Sequence, residues 1–247
     1  RPGEMLVIES DGTMHSSIIL EEDRTAFCLF EYIYFARSDS EIDNLSVYQA
    51  HFNMGRQLAR EFPVDADMVC GVPDSGLDAA AGYAFESGIP LGSGFTKNRY
   101  IGRSFIFPTQ TQRDNAVRLK LNPLKANIKG KRLIVVDDSI VRGTTSARTV
   151  KMLRDAGASE VHMRISAPPF THSCHFGTDI DSEDKLIANK MTVDEIAKFV
   201  GADSLGYISI DGIKKACEGC SLSLCTGCFD GTYPMQIGHH TKAEFEC

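Results

Sequence analysis

Tryptophan is absent from the 247 residues, and no apolar run approaches the roughly 18 residues a membrane-spanning helix needs. The opening stretch RPGEMLVIES lacks the basic start and apolar centre of a secretory signal. Positive charge is in deficit: 26 Lys and Arg against 33 Asp and Glu leave a net charge of −7. No general electrostatic grip on nucleic acid or an anionic membrane is therefore expected. Repeats and low-complexity segments are also missing. What is present, 43% hydrophobic and 24% charged residues, excludes disorder. The length suits one large domain, or one with a small appendage, and is enough to bury a full core.

Two turn-linked strands, Met5–Glu9 and Ser17–Leu20, open the chain around Asp11-Gly12. A helix follows over Leu45–Phe62, stopped by Pro63. From Asp67 the texture becomes short apolar runs, each leading through a Gly/Ser turn into a helical pattern. Met68–Val72 enters Pro73-Asp74-Ser75-Gly76 and an Ala-rich helix ending near Gly88. Leu133–Val136 enters a turn and a helix over Thr145–Ala156, and Glu160–Ser166 is a third strand. This alternation predicts an α/β fold, a parallel sheet flanked by helices whose ligand sits at the C-terminal ends of the strands. A boundary is expected near Pro168, dividing a core domain (1–168) from a cysteine-rich C-terminal subdomain (169–247). In the latter, Val193–Val200 reads as helix and Leu205–Ile210 as strand.

The most informative stretch is Leu133-Ile134-Val135-Val136-Asp137-Asp138-Ser139-Ile140-Val141-Arg142-Gly143-Thr144-Thr145-Ser146. A buried strand delivers two adjacent carboxylates, and a loop of Gly and hydroxyl residues then opens a helix. Backbone N–H groups, hydroxyls and the positive end of the helix dipole converge there, as a phosphate requires. Neighbouring carboxylates beside a phosphate cradle repel the ligand unless they bind hydroxyls or a cation. A ribose diol or Mg²⁺ satisfies both charges. The plainer reading is a pair of helix-capping aspartates at a strand-to-helix turn. Lys97, Arg99 and Arg103 lie among polar residues and read either as a loop closing over an anion or as a solvated basic surface.

The 133–146 stretch resembles the phosphoribosyl pyrophosphate (PRPP) signature of type I phosphoribosyltransferases. Gly71–Gly76, Lys97–Arg103, Phe105–Arg113, Lys120–Pro123 and Phe30–Phe35 extend the resemblance, across nearly the whole chain, to the glutamine PRPP amidotransferase (amidophosphoribosyltransferase) family. The resemblance implies transfer of ammonia onto PRPP to give 5-phosphoribosylamine, the first committed step of purine synthesis. It implies that Asp137 and Asp138 hold the ribose hydroxyls and Mg²⁺, that Ser139, Val141, Arg142, Gly143, Thr144 and Thr145 cradle the 5-phosphate, and that Ser75 joins the metal site. Lys97 and Arg99 become catalytic residues on a flexible loop (97–115). With Ser139, they also become contacts for purine nucleotide inhibitors. Two other readings stand beside it: a non-catalytic PRPP or nucleotide sensor, and a type I enzyme acting on a base such as orotate or hypoxanthine.

Eight cysteines include two CxxC pairs, Cys217/Cys220 and Cys225/Cys228, which point to metal chemistry in a reducing cytosol. From spacing alone these four form a cramped zinc site. The resemblance implies another set, a structural [4Fe–4S] cluster on Cys28, Cys174, Cys225 and Cys228, the last opening Cys228-Phe229-Asp230-Gly231-Thr232-Tyr233-Pro234. Cys217, Cys220, Cys70 and Cys247 are then spare. The family carries a glutaminase domain before this region. Arg1-Pro2-Gly3-Glu4 resembles the end of that domain, so the expectation is a chain without glutaminase activity of its own. A homo-oligomer and a cytoplasmic location are also expected.

Overall fold

The computed structural model describes residues 3–19, 25–98, 121–180 and 182–237. Strands β1 (Glu4–Ile8) and β2 (Met14–Ile18) form an antiparallel hairpin with Met5 opposite Ser17. Both strands begin earlier than expected, because the Thr13 N–H on Asp11 (2.9 Å) tightens the turn and lets the ladder run up to it. β3 (Phe27–Cys28) leads into a turn of π-helix at Glu31–Phe35. β4 (Glu41–Ile42) and β5 (Leu45–Ser46) close a minimal hairpin about Asp43 and Asn44, both at positive φ, a conformation their short polar side chains tolerate. Ser46 then caps α1 (Val47–Glu61) by accepting the Gln49 N–H, so the helix starts after its cap rather than at Leu45. Ala50, Met54 and Leu58 form its fully buried stripe.

The central part of the chain follows the expected alternation. β6 (Met68–Gly71) precedes α2 (Leu77–Ser87). β7 (Phe95–Lys97) pairs antiparallel with β8 (Leu121–Pro123), and α3 (Lys125–Ile128) follows. Then come β9 (Arg132–Asp137), α4 (Thr144–Asp155), β10 (Glu160–Ile165), α5 (Val193–Val200), β11 (Ser204–Tyr207), α6 (Ile210–Ala216), β12 (Leu224–Cys225) and α7 (Gly227–Asp230). The main sheet is parallel, in the order β6-β9-β10-β11, with Val69 beside Ile134, Ile134 beside His162, and Met163 beside Leu205. Its inner strands are buried along almost their whole length, as helices on both faces require.

One further sequence expectation changes. The strand expected over Leu205–Ile210 ends at Tyr207, because Ser209 accepts the Gly212 N–H at 2.8 Å and turns the chain into α6. The segment after Pro168 supplies β11 to the sheet, and its buried residues belong to the same hydrophobic core. Among the described residues no helix is long and apolar enough to cross a membrane.

Candidate functional site

The loops after β6 and β9 emerge side by side at the C-terminal edge of the sheet, where parallel α/β sheets bind ligands. Val72 N–H donates to Val136 O at 2.8 Å, holding the first loop against the end of β9. Gly76 makes that approach possible, since a Cβ there would lie 2.3 Å from Val136 O. The consequence is a contact that sequence spacing does not reveal. The Ser75 hydroxyl donates to Asp138 Oδ2, and the Ser139 hydroxyl donates to Asp138 Oδ1. Both oxygens of one carboxylate are thereby oriented by hydroxyls from two loops.

Asp137 sits one step deeper, 7% exposed, with Oδ1 accepting the Asp138 N–H at 3.0 Å. Burial, reinforced by the Asp138 charge, holds its carboxyl well above the usual carboxylate range. Two carboxylates kept adjacent at this cost call for a partner that shares their protons or brings positive charge. Among the described residues the plain helix-capping reading finds no support: the N-cap position of α4 is Gly143, which makes no side-chain cap hydrogen bond. The first turn of α4 is thus open to an anion. Gly143 lies at φ 78°, and a Cβ there would meet Ile187 Cδ1 at 2.8 Å and Phe199 Cε1 at 3.0 Å. Ile187 N–H donates to Val141 O at 3.0 Å, so the 3₁₀ turn at Ile187–Asn189 props the loop from below. Arg142, Thr144 and Thr145 face solvent at the mouth of the loop.

Lys97, at the end of β7, forms an ion pair with Asp74 of the neighbouring loop, which brings it to the same edge. Arg99, Arg103, Phe105–Arg113, Lys120 and the rest of the expected 97–115 loop beyond residue 98 lie outside the described residues, as does Cys247.

A second gathering forms where β12 pairs with β3 and sets Cys225 beside Cys28. Thr171 and Tyr233 draw the loop carrying Cys174 inward: Thr171 N–H donates to Cys228 O at 3.1 Å, and Tyr233 Oη donates to Ser173 O at 2.6 Å. Burial raises the Cys228 thiol, and the charges of Cys28, Cys174 and Cys225 raise it further. Burial likewise raises Cys28, opposed by N–H groups of Phe30 and Glu31 directed at its sulfur. Phe176 N–H donates to Cys174 Sγ at 3.4 Å. Cys217 and Cys220 gather beside Asp43 and Tyr32. Among the described residues no three His, Cys, Asp or Glu are arranged to hold a metal ion.

A buried parallel sheet, a paired carboxylate at one strand end and an open helix N-terminus beside it define a type I phosphoribosyltransferase fold. The family model for the phosphoribosyl transferase domain matches residues 44–175, and the chain belongs to that family. It is 51% identical over 239 residues to an amidophosphoribosyltransferase of Archaeoglobus fulgidus, covering 96% of this chain and 52% of that protein. It is also similar to the structure of a glutamine PRPP amidotransferase from Bacillus subtilis complexed with ADP and GMP, with TM-score 0.82, 46% identity, and coverage of 97% of this chain and 53% of that one. A structure described as the allosteric regulatory enzyme of purine biosynthesis matches with TM-score 0.81 and 47% identity over 96% of this chain and 52% of that one. The chain spans about half the length of the relatives it matches.

Proposed function

We propose that this chain carries out phosphoribosyl transfer from PRPP to ammonia, forming 5-phosphoribosylamine, the opening step of purine synthesis. The observation that carries the reading is the Asp137–Asp138 pair, oriented by Ser75 and Ser139 and set against the uncapped first turn of α4. The similarity to amidophosphoribosyltransferases supplies the choice of acceptor.

In this reading the amides and hydroxyls of Ser139–Thr145 take the 5-phosphate, and the two carboxylates accept hydrogen bonds from the ribose diol. Their negative charge then lies against the ring as pyrophosphate leaves and positive charge builds at C1 and the ring oxygen. Lys97 exchanges Asp74 for the leaving pyrophosphate, joined by Arg99 on the resemblance. Asp137, Asp138 and Ser75 would hold Mg²⁺; among the described residues no third His, Cys, Asp or Glu joins the two carboxylates, which suits an ion that arrives on the substrate's phosphates. When bound, it neutralises the leaving group. Catalysis here is charge placement, with little for a side-chain base to do.

The resemblance assigns a [4Fe–4S] cluster to Cys28, Cys174, Cys225 and Cys228; no three of them are placed as ligands of a single metal ion, and what supports the reading is their donor chemistry, the pairing of Cys225 with Cys28 and the N–H groups aimed at Cys28 and Cys174. Its role is structural, tying these segments together. Purine nucleotides share the ribose and 5-phosphate of PRPP, so they compete at Ser139 and Lys97 as inhibitors. A glutaminase domain is the proposed source of ammonia, within a homo-oligomeric, cytoplasmic enzyme.

The test is pyrophosphate release from PRPP and Mg²⁺ as ammonium is varied. Release that saturates in both substrates supports the transferase. PRPP binding with no release at any ammonium concentration overturns it in favour of a sensor.

A further inference from the structure

The CxxC pair outside the cysteine nest closes the C-terminal end of α6. Cys217 N–H reaches Ile213 O at 3.1 Å, and Cys220 N–H folds back onto Cys217 O at 3.2 Å. A turn closed by such a bond brings its end Cα atoms within about 7 Å. A disulfide spans Cα separations of about 4.4–6.8 Å. Gly219, at φ 112°, occupies the turn position that demands a positive φ. Neither Cys217 nor Cys220 is among the thiols whose charges act on Cys28 or Cys228. Burial pushes the Cys217 thiol up to about 12, and the charge that adds to this is that of Cys220.

We propose that Cys217 and Cys220 form a reversible disulfide, a modification site separate from the four-cysteine nest. This does not rest on the transferase reading. Cys220 is half-buried and is the point of entry, whereas Cys217 is 2% exposed and resolves. The oxidant is a small-molecule disulfide. The Cys220 thiolate attacks one of its sulfurs and expels a thiolate, leaving a mixed disulfide. Cys217, giving up its proton to solvent, then displaces the second thiolate. Both expelled thiolates take up protons, so the protein dithiol loses two electrons and two protons and the oxidant becomes two thiols.

The neighbourhood gives the reaction a consequence. In the reduced protein Cys220 Sγ donates to Asp43 Oδ2 at 3.4 Å, alongside the Ser221 hydroxyl at 2.9 Å and the Leu222 N–H at 2.9 Å. A disulfide sulfur has no proton to give. Oxidation therefore removes one of the donors that hold residues 220–222 on the Asp43-Asn44 turn, just ahead of β12. Tyr32, whose hydroxyl donates to Ile42 O at 2.7 Å, neighbours Cys220 on the same side.

The experiment equilibrates the chain with oxidised or reduced glutathione, alkylates the remaining thiols and maps the peptides. Cleavage after Glu218 falls between the two cysteines, and cleavage after Leu222 parts Cys220 from Cys225. The expected result is a Cys217 peptide joined to a Cys220 peptide after oxidation and released by reduced glutathione. In Cys217→Ser, the reaction stops with glutathione on Cys220. Hydrogen exchange at the Leu222 amide rises about fivefold in the oxidised wild type, the weight of roughly one hydrogen bond. Recovery of both cysteines alkylated after oxidation, or joined to Cys225 or Cys228 instead of each other, overturns the proposal.

Discussion

Ser75 and Asp138 stand 63 positions apart in the chain, and the hydroxyl of the first donates to Oδ2 of the second. That bond joins the loop after β6 to the loop after β9 at the edge of the sheet. With Ser139 on the other oxygen, it fixes the plane of the Asp138 carboxylate before any ligand arrives. Preorganisation of this kind spares the substrate the work of ordering its own receptor.

Removing the Ser75 hydroxyl should therefore be felt at the substrate. A hydrogen bond to a charged group is worth about 1.5–3 kcal/mol, so Ser75→Ala should weaken PRPP binding on the order of tenfold or more. Titration calorimetry with PRPP and Mg²⁺ measures this directly. Equal affinities in the two proteins would separate Ser75 from the site.

Gly143 tests the shape of the loop. Alanine there must adopt a left-handed conformation, which costs about 1–2 kcal/mol, and its Cβ meets Ile187 Cδ1 at 2.8 Å. Gly143→Ala should lower the urea midpoint and weaken phosphate binding together. A variant with wild-type stability and affinity would show that the described loop is not the one that binds.

At the opposite edge of the sheet, Arg132 bonds Asp67 through both its guanidinium and its backbone N–H, at 2.8 Å each. These bonds hold the Asp67 carboxyl down to about 2. A depressed carboxyl binds its proton more weakly folded than unfolded, so it adds stability above the ordinary aspartate range near pH 3.9. That stability is lost as pH falls from about 4 to about 2. Acid unfolding followed by circular dichroism should show this slope, with Asp67→Asn flattening it. Because the pair is exposed, added salt should shrink the difference. Identical slopes in the two proteins would contradict the assignment.

Cysteine variants divide the two sulfur sites. Cys228→Ser should abolish bound iron and acid-labile sulfide in anaerobically prepared protein, whereas Cys217→Ser and Cys220→Ser should keep both. Iron loss in all three variants alike would contradict the assignment to Cys28, Cys174, Cys225 and Cys228. Wild-type protein without iron or sulfide would remove the cluster altogether.

Much of this was legible in the sequence where local pattern and tertiary structure agree. Leu133–Val136 reads as buried strand because it is buried on both faces, and the carboxylates follow at its end. Val193–Val200 carries its own capping box, Thr192 with Glu195, and its bounds match the structure. Legibility failed where partners come from afar. Nothing near Ser75 announces Asp138. The apolar run from Leu205 continues past Tyr207 into Ile208 and Ile210, and only the Ser209 cap, itself held by Glu61 of α1, turns it into helix. The association of Cys220 with Asp43 spans 177 positions and has no local signature.

The central claim is that Asp137, Asp138 and the first turn of α4 receive a sugar phosphate. The most direct measurement is a crystal structure of the chain with PRPP and Mg²⁺. The account predicts the 5-phosphate on the amides of residues 142–145, with the ribose diol against the two aspartates. A ligand bound elsewhere, with this loop and both carboxylates left in contact with solvent, would contradict it.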